Sequence, residues 1–132
     1  MNRLFAVLIL SCGLAFAAGC GDGGPKVYHL SGNVTMGGKP VPAGVIFLGP
    51  DLKKGVDGPQ GYATIKEGKY DTRDGGRATI GGPLEVTIQP HDGVPGSELP
   101  MGKKLGPDFV TTFEAPKADA THDFEIPRAA GR

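Results

Sequence analysis

The stretch GYATIKEGKYDT, residues 61–72, decides the fold. Two short segments of β-forming residues, Gly61 to Lys66 and Lys69 to Thr72, flank Glu67-Gly68, and the glycine can take the positive φ of a tight turn without a Cβ clash. A hairpin is expected there, and its neighbours carry the same signature. Val27 to Met36 alternates, with Tyr28, Leu30, Val34 and Met36 on one parity and His29, Ser31, Asn33 and Thr35 on the other, as a half-buried strand does. Gly37-Gly38-Lys39-Pro40 turns the chain. Val45 to Leu48 is a short continuous apolar run between Gly44 and Gly49-Pro50, the pattern of a central strand covered on both faces.

Further along, Leu84, Val86 and Ile88 alternate with Glu85, Thr87 and Gln89, and Phe109, Thr111 and Phe113 alternate with Val110, Thr112 and Glu114. After the Pro116 to Ala120 turn, His122, Phe124 and Ile126 alternate with Thr121, Asp123 and Glu125. Seven short strands at intervals of roughly ten residues, with no helical periodicity after Lys26, predict an all-β fold: an antiparallel seven-stranded β-sandwich of Greek-key type. Its expected core is Leu30, Val34, Phe47, Tyr70, Val86, Ile88, Phe113 and Phe124. The chain has 23 Gly and 12 Pro. Because they sit between apolar runs, they read as turn punctuation and not as low complexity. The longest connection, Asp92 to Pro107, exceeds the common loop length and is expected to be functional or mobile.

The N-terminus has a different character. A short basic start (Met1, Asn2, Arg3) precedes an apolar stretch, Leu4 to Leu10 and Gly13 to Ala18, broken only by Ser11 and Cys12. This is a secretory signal pattern, expected to be helical, and its run of about 15 residues falls short of the roughly 20 that span a bilayer. Ala17-Ala18-Gly19-Cys20 resembles the bacterial lipobox, in which small residues precede a cysteine that receives diacylglycerol before the leader is cut away; Ala17 stands where leucine is usual. The resemblance implies cleavage between Gly19 and Cys20 and lipidation of Cys20. Two or three acyl chains hold a protein stably on a membrane where one does so only marginally.

The expected organisation is a signal peptide at 1–19, lipidated Cys20 and a flexible tether at 20–26, one β-domain at 27–128 and a tail at 129–132. The tether would span roughly 13 Å, which keeps the domain close to the bilayer. Without the leader 113 of the 132 residues remain, enough for one domain whose core needs no disulfide. None can form within the mature chain, where Cys20 is the sole cysteine. The mature chain carries 13 Lys+Arg against 14 Asp+Glu. That balance offers a nucleic-acid phosphate backbone no basic field, so no nucleic-acid partner is expected.

Several mature segments together resemble small envelope lipoproteins with a carboxypeptidase-regulatory-like, transthyretin-like β-sandwich. Ser31-Gly32-Asn33-Val34-Thr35, Gly38-Lys39-Pro40-Val41-Pro42 and Val45-Ile46-Phe47 are similar to that family's opening strand, turn and second strand, and Ala63 to Tyr70 to its hairpin. Gly81 to Ile88 and Thr121 to Pro127 are similar to a subgroup with no assigned activity. The resemblance implies the sandwich, a cell-envelope setting on the extracytoplasmic side of a membrane, and an accessory, stabilising or adhesive role.

The residues themselves point to no catalytic, cofactor-binding or metal site. His29 and His91 lie on the polar parity of their strands, where exposure is expected. His122 shares parity with Phe124 and Ile126 and can point inward, and no second histidine lies at metal-ligand spacing. Asp71-Thr72-Arg73-Asp74-Gly75-Gly76 lacks the ligands and spacing of a calcium loop and reads as a turn. Gly75-Gly76 and Gly81-Gly82 precede no helix that could hold phosphate, and there is no G-x-S-x-G elbow. Transthyretin-like hydroxyisourate hydrolases end in Tyr-Arg-Gly-Ser, whereas this chain ends Pro127-Arg128-Ala129-Ala130-Gly131-Arg132. The tyrosines also offer no visible pairing with histidines of the kind that similar sandwich iron dioxygenases use.

The expected function is therefore non-enzymatic: a membrane-anchored module that binds an envelope protein or polymer, with the Asp92 to Pro107 loop and its Glu98, Lys103 and Lys104 as the contact surface. Carbohydrate binding is the alternative, although the absence of Trp and the core parity of most Phe and Tyr leave no stacking platform in view.

Overall fold

A computed structural model describes residues 24–128. The leader, the Gly19-Cys20 cleavage and lipidation position, the tether up to Gly23 and the tail at 129–132 lie outside the described residues.

Among the described residues, alternation of apolar and polar residues produces nine strands: β1 (Leu30–Met36), β2 (Lys39–Pro40), β3 (Ala43–Pro50), β4 (Gly61–Lys66), β5 (Lys69–Asp71), β6 (Gly82–His91), β7 (Phe109–Ala115), β8 (Ala120–Thr121) and β9 (Phe124–Ile126). The only helical element among the described residues is a 3₁₀ turn at Leu52–Lys54, capped by Asp51, whose side chain accepts the N–H of Lys53. The strands form one curled, mostly antiparallel sheet. Seven follow the order β2-β1-β5-β4-β3-β6-β7, and β8 and β9 pair with β1. No helix among the described residues is long and apolar enough to cross a membrane.

The expected hairpin is present, with both turn residues in the left-handed region, Glu67 at φ 51° and Gly68 at φ 76°. That is the primed turn whose twist matches the flanking strands. Gly68 also packs so tightly that a Cβ there would lie 2.6 Å from the Pro40 side chain.

The inward face collects Leu30, Val34, Ile46, Leu48, Ala63, Ile65, Tyr70, Leu84, Val86, Ile88, Phe124 and Ile126, all buried, with Phe109 and Phe113 packed against them. The sheet curls until Phe113 of β7 stacks on the His122 ring at 4.0 Å and meets Phe124 edge-on at 5.7 Å. Aromatic side chains thus close the gap between one end of the sheet and the strands flanking β1.

Three expectations are corrected. Phe47 is not in the core: Val45 to Leu48 alternates like its neighbours, with Ile46 and Leu48 buried and Val45 and Phe47 half-buried on the opposite face. An apolar run shows that a strand tolerates cover on both faces, not that it has it. The pairing is also not wholly antiparallel. β8 and β9 run parallel to β1 in one continuous register, from Leu30↔Ala120 and Ser31↔Thr121 to Val34↔Phe124 and Met36↔Ile126. Lastly, the first strand begins at Leu30, with Tyr28 held by a lone bridge to Thr79.

Candidate functional surface

The outward face of the sheet follows from the register. Phe47 pairs with Tyr62 on β4 and with Thr87 on β6, and Thr87 pairs with Val110 on β7. Paired residues in an antiparallel sheet point to the same side. Tyr62, Phe47, Thr87 and Val110 therefore form one row across four strands, with Val45 one step along from Phe47. Tyr62 is 41% and Val110 55% exposed. The row is rimmed by Thr64, Glu85, Gln89, Thr112 and Asp108, so an apolar centre sits inside a polar border. Each strand beneath it is fixed by ladder pairing, which makes the surface pre-ordered.

The Asp92 to Pro107 connection is held in a folded-back form. Asp92 Oδ1 accepts the N–H groups of Val94 at 2.9 Å and Lys103 at 3.1 Å, while the Asp92 N–H donates to the Lys103 carbonyl at 2.9 Å. Gly93 N–H donates to Met101, and Leu105 N–H to Pro90. Gly102, at φ 83°, lies so close that a Cβ would stand 1.8 Å from Asp92 Oδ1. Of the three contact residues expected here, Glu98 is exposed, Lys103 contributes its backbone to the Asp92 cage, and Lys104 turns its ammonium to Asp108. Asp108 also accepts from Gln89 Nε2 at 3.1 Å, and the bonds from Lys104 and then Gln89 hold its carboxyl below the usual range. Lys104 is thus already committed to a partner in its own chain.

The histidines are placed differently from one another. His29 is half-buried and its Nδ1 lies 3.1 Å from Thr72 Oγ1, which also accepts the Leu30 N–H at 3.0 Å. Thr72 is 1% exposed, so its hydroxyl serves the fold and is out of reach of any substrate. His91 is also half-buried, with Nδ1 enclosed and unbonded. His122 points inward, as its parity predicts, into the Phe113 and Phe124 rings. Both strand histidines expected to be exposed are therefore half covered, because neighbouring segments fold over their strand ends. The Asp71 to Gly76 segment is a turn as expected, with Asp71 Oδ1 accepting the Arg73 N–H at 2.9 Å. Among the described residues no three His, Cys, Asp or Glu side chains gather as metal ligands.

The depressions on the surface are shallow. One of about 400 Å³ lies over β1 and β5 between Asn33, Lys66, Lys69 and Asp71. Another of about 530 Å³, between Thr35, Glu67, Asp123 and Glu125, adjoins it and shares Asn33 and Lys69. Charges of both signs line them.

The Tyr62–Phe47–Thr87–Val110 row is hidden in the sequence because Phe47 lies in the continuous apolar run Val45 to Leu48, which reads as core throughout. The signal that could have found it is the hairpin register, since Tyr62 faces away from Ala63 and Ile65 and carries its partner Phe47 with it. Compared with protein-family models, with curated proteins and with solved structures, the chain matches none.

Proposed function

We propose that the chain is a membrane-anchored envelope lipoprotein, tethered through lipidated Cys20, whose β-domain is a transthyretin-like sandwich acting as a non-enzymatic protein-interaction module. The lipobox-like Ala17-Ala18-Gly19-Cys20 at the end of an apolar leader supports the anchor, and the curled sheet with an aromatic-plugged gap supports the sandwich. The observation that carries the interaction role is the outward row Tyr62–Phe47–Thr87–Val110, in which exposed Tyr62 and Val110 flank half-buried Phe47 and Thr87 inside a polar rim, the composition of a contact surface. This reading moves the contact from the 92–107 loop, whose Lys104 is already paired, to the sheet face.

Crosslinking and recovery from native envelopes test it, with wild type beside Tyr62→Glu/Val110→Glu and a variant lacking residues 94–104. Partners should be lost with the face variant and kept with the loop deletion. The reverse result would return the contact to the loop, and turnover of a substrate by the purified protein would end the non-enzymatic reading. Mass spectrometry of the native N-terminus tests the anchor: an unmodified Cys20, or Cys20→Ser that stays membrane-bound after processing, would exclude it.

Carbohydrate binding stands second, favoured by Tyr62 and Phe47 lying adjacent and outward, where a sugar ring could stack. Retention on purified envelope polysaccharide that Tyr62→Ala abolishes would put it first.

A further inference from the structure

Among the described residues, strand β7 has a ladder partner on one side only. Its pairs with β6 run from Gly82↔Ala115 to Ile88↔Phe109 and include Pro83↔Glu114. Proline has no N–H to exchange, so Pro83↔Glu114 belongs to the non-hydrogen-bonded kind, and the bonded pairs are those of Ala115, Phe113, Thr111 and Phe109. Two bonds agree with this parity. The Pro83 carbonyl accepts from Asp51, which follows β3, while the Pro90 carbonyl accepts from Leu105 on the opposite side of β6. The backbone N–H and C=O groups of Val110, Thr112 and Glu114 therefore point away from β6, and all three residues are exposed.

Natural sheets usually blunt such an edge with lysine, proline or a bulge. Between Phe109 and Ala115 there is no lysine or proline, and the register with β6 has no bulge. The sole charge is Glu114, with Lys54 at 4.0 Å.

We propose that this edge pairs with β7 of a second copy of the chain, antiparallel and centred on Thr112. In that register Thr112 faces its own counterpart and Val110 faces Glu114, so every outward-pointing residue exchanges both backbone hydrogen bonds. On the inward parity Phe113 falls opposite Thr111, and Phe109 opposite Ala115. Charge rules out centring on Glu114, which would oppose two carboxylates; centring on Thr112 opposes no like charges, places threonine against threonine and is the one register that pairs Val110, Thr112 and Glu114 among themselves. The result is an isologous two-fold contact that joins β4-β3-β6-β7 of one copy to the same strands of the other. Both Tyr62–Phe47–Thr87–Val110 rows then lie on one doubled sheet.

Sedimentation of the full chain in detergent, with amide exchange followed by NMR, tests the pairing against Thr112→Pro and Thr112→Lys. Proline is tolerated where an edge N–H faces solvent, and lysine there only extends an exposed side chain, so both should keep the wild-type melting temperature. Wild type should show twice the protomer mass. Its Val110, Thr112 and Glu114 amides should exchange about tenfold more slowly at high than at low concentration. Both variants should sediment as single protomers. A wild type that stays a single protomer up to about 1 mM overturns the proposal, even if its edge binds a strand of another protein. So does a dimer that survives Thr112→Lys. Should Thr112→Pro disturb the fold, Thr112→Lys decides alone.

Discussion

Gly32 is the residue on which the joining of the first and last strands turns. A Cβ at Gly32 would lie 2.0 Å from the His122 carbonyl oxygen, so only glycine lets that peptide fold over β1. The carbonyl, turned inward, accepts a hydrogen bond from Tyr70 Oη at 2.6 Å. On the outward side Asp123 Oδ1 accepts the Asn33 N–H at 2.8 Å, in place of the ladder bond interrupted between β8 and β9. The parity of Phe124 and Ile126 was legible in the sequence. Their parallel pairing with β1 was not, because the two segments lie 90 residues apart and no local pattern encodes the match. Phe47 makes the same point about faces. Leu48→Ala should cost about 2–5 kcal/mol through lost burial and a cavity. Phe47→Ala, on the half-covered face, should fall well below the 3–5 kcal/mol of a buried phenylalanine. Paired thermal melts check the order, and an equal loss at both positions would restore Phe47 to the core.

Among the elements, the 92–107 connection shows what length alone does not reveal. Its length, with three prolines and four glycines between Asp92 and Pro107, suggests a functional or mobile loop, and one carboxylate, Asp92, gathers the backbone of both its arms. The signals were Asp92-Gly93 and Gly102, whose meaning depends on their meeting in space. The hairpin at 61–72 was legible for the opposite reason: its turn chemistry and its strands are contiguous. Gly102→Ala would drive a methyl group into Asp92 and strain a backbone at φ 83°, opening the loop while the β3-β6-β7 ladder persists. Each 1.4 kcal/mol of lost local stability raises the open population about tenfold. Trypsin should therefore cut after Lys103 or Lys104 at least about tenfold faster in Gly102→Ala, with the far-UV spectrum unchanged. Equal cleavage rates would show that the Asp92 cage does not hold the loop shut.

For the whole molecule, the two ends of the pH scale test different parts of the same closure. Asp119, at the entry to β8, accepts the His29 N–H at 2.8 Å and pairs with Arg73 at 2.8 Å, tying together the start of β1, the turn after β5 and the last strands. The bond from His29, and then the charge of Arg73, hold its carboxyl below the ordinary value of 3.8. A lowered folded pKa gives stability that is present above the unfolded value and is lost as pH falls through the folded one. The melting temperature should therefore begin to fall as the pH drops past 3.8, and Asp119→Asn should flatten that limb. Tyr70 governs the other limb. Burial, then Asp123 and Asp71, push its phenol far above the ordinary value of 10.0, so it remains the proton donor to the His122 carbonyl. A raised folded pKa gives stability that is complete below the unfolded value and drains away as pH rises toward the folded one. Stability should thus decline above pH 10.0. Tyr70→Phe should cost about 1–3 kcal/mol at neutral pH, by leaving the turned-in carbonyl unpaired, and should flatten the alkaline limb. Melting curves from pH 2 to 12 separate the two effects. A Tyr70→Phe protein that loses neutral stability but keeps the full alkaline decline would show that the tyrosine only fills space and that another group titrates.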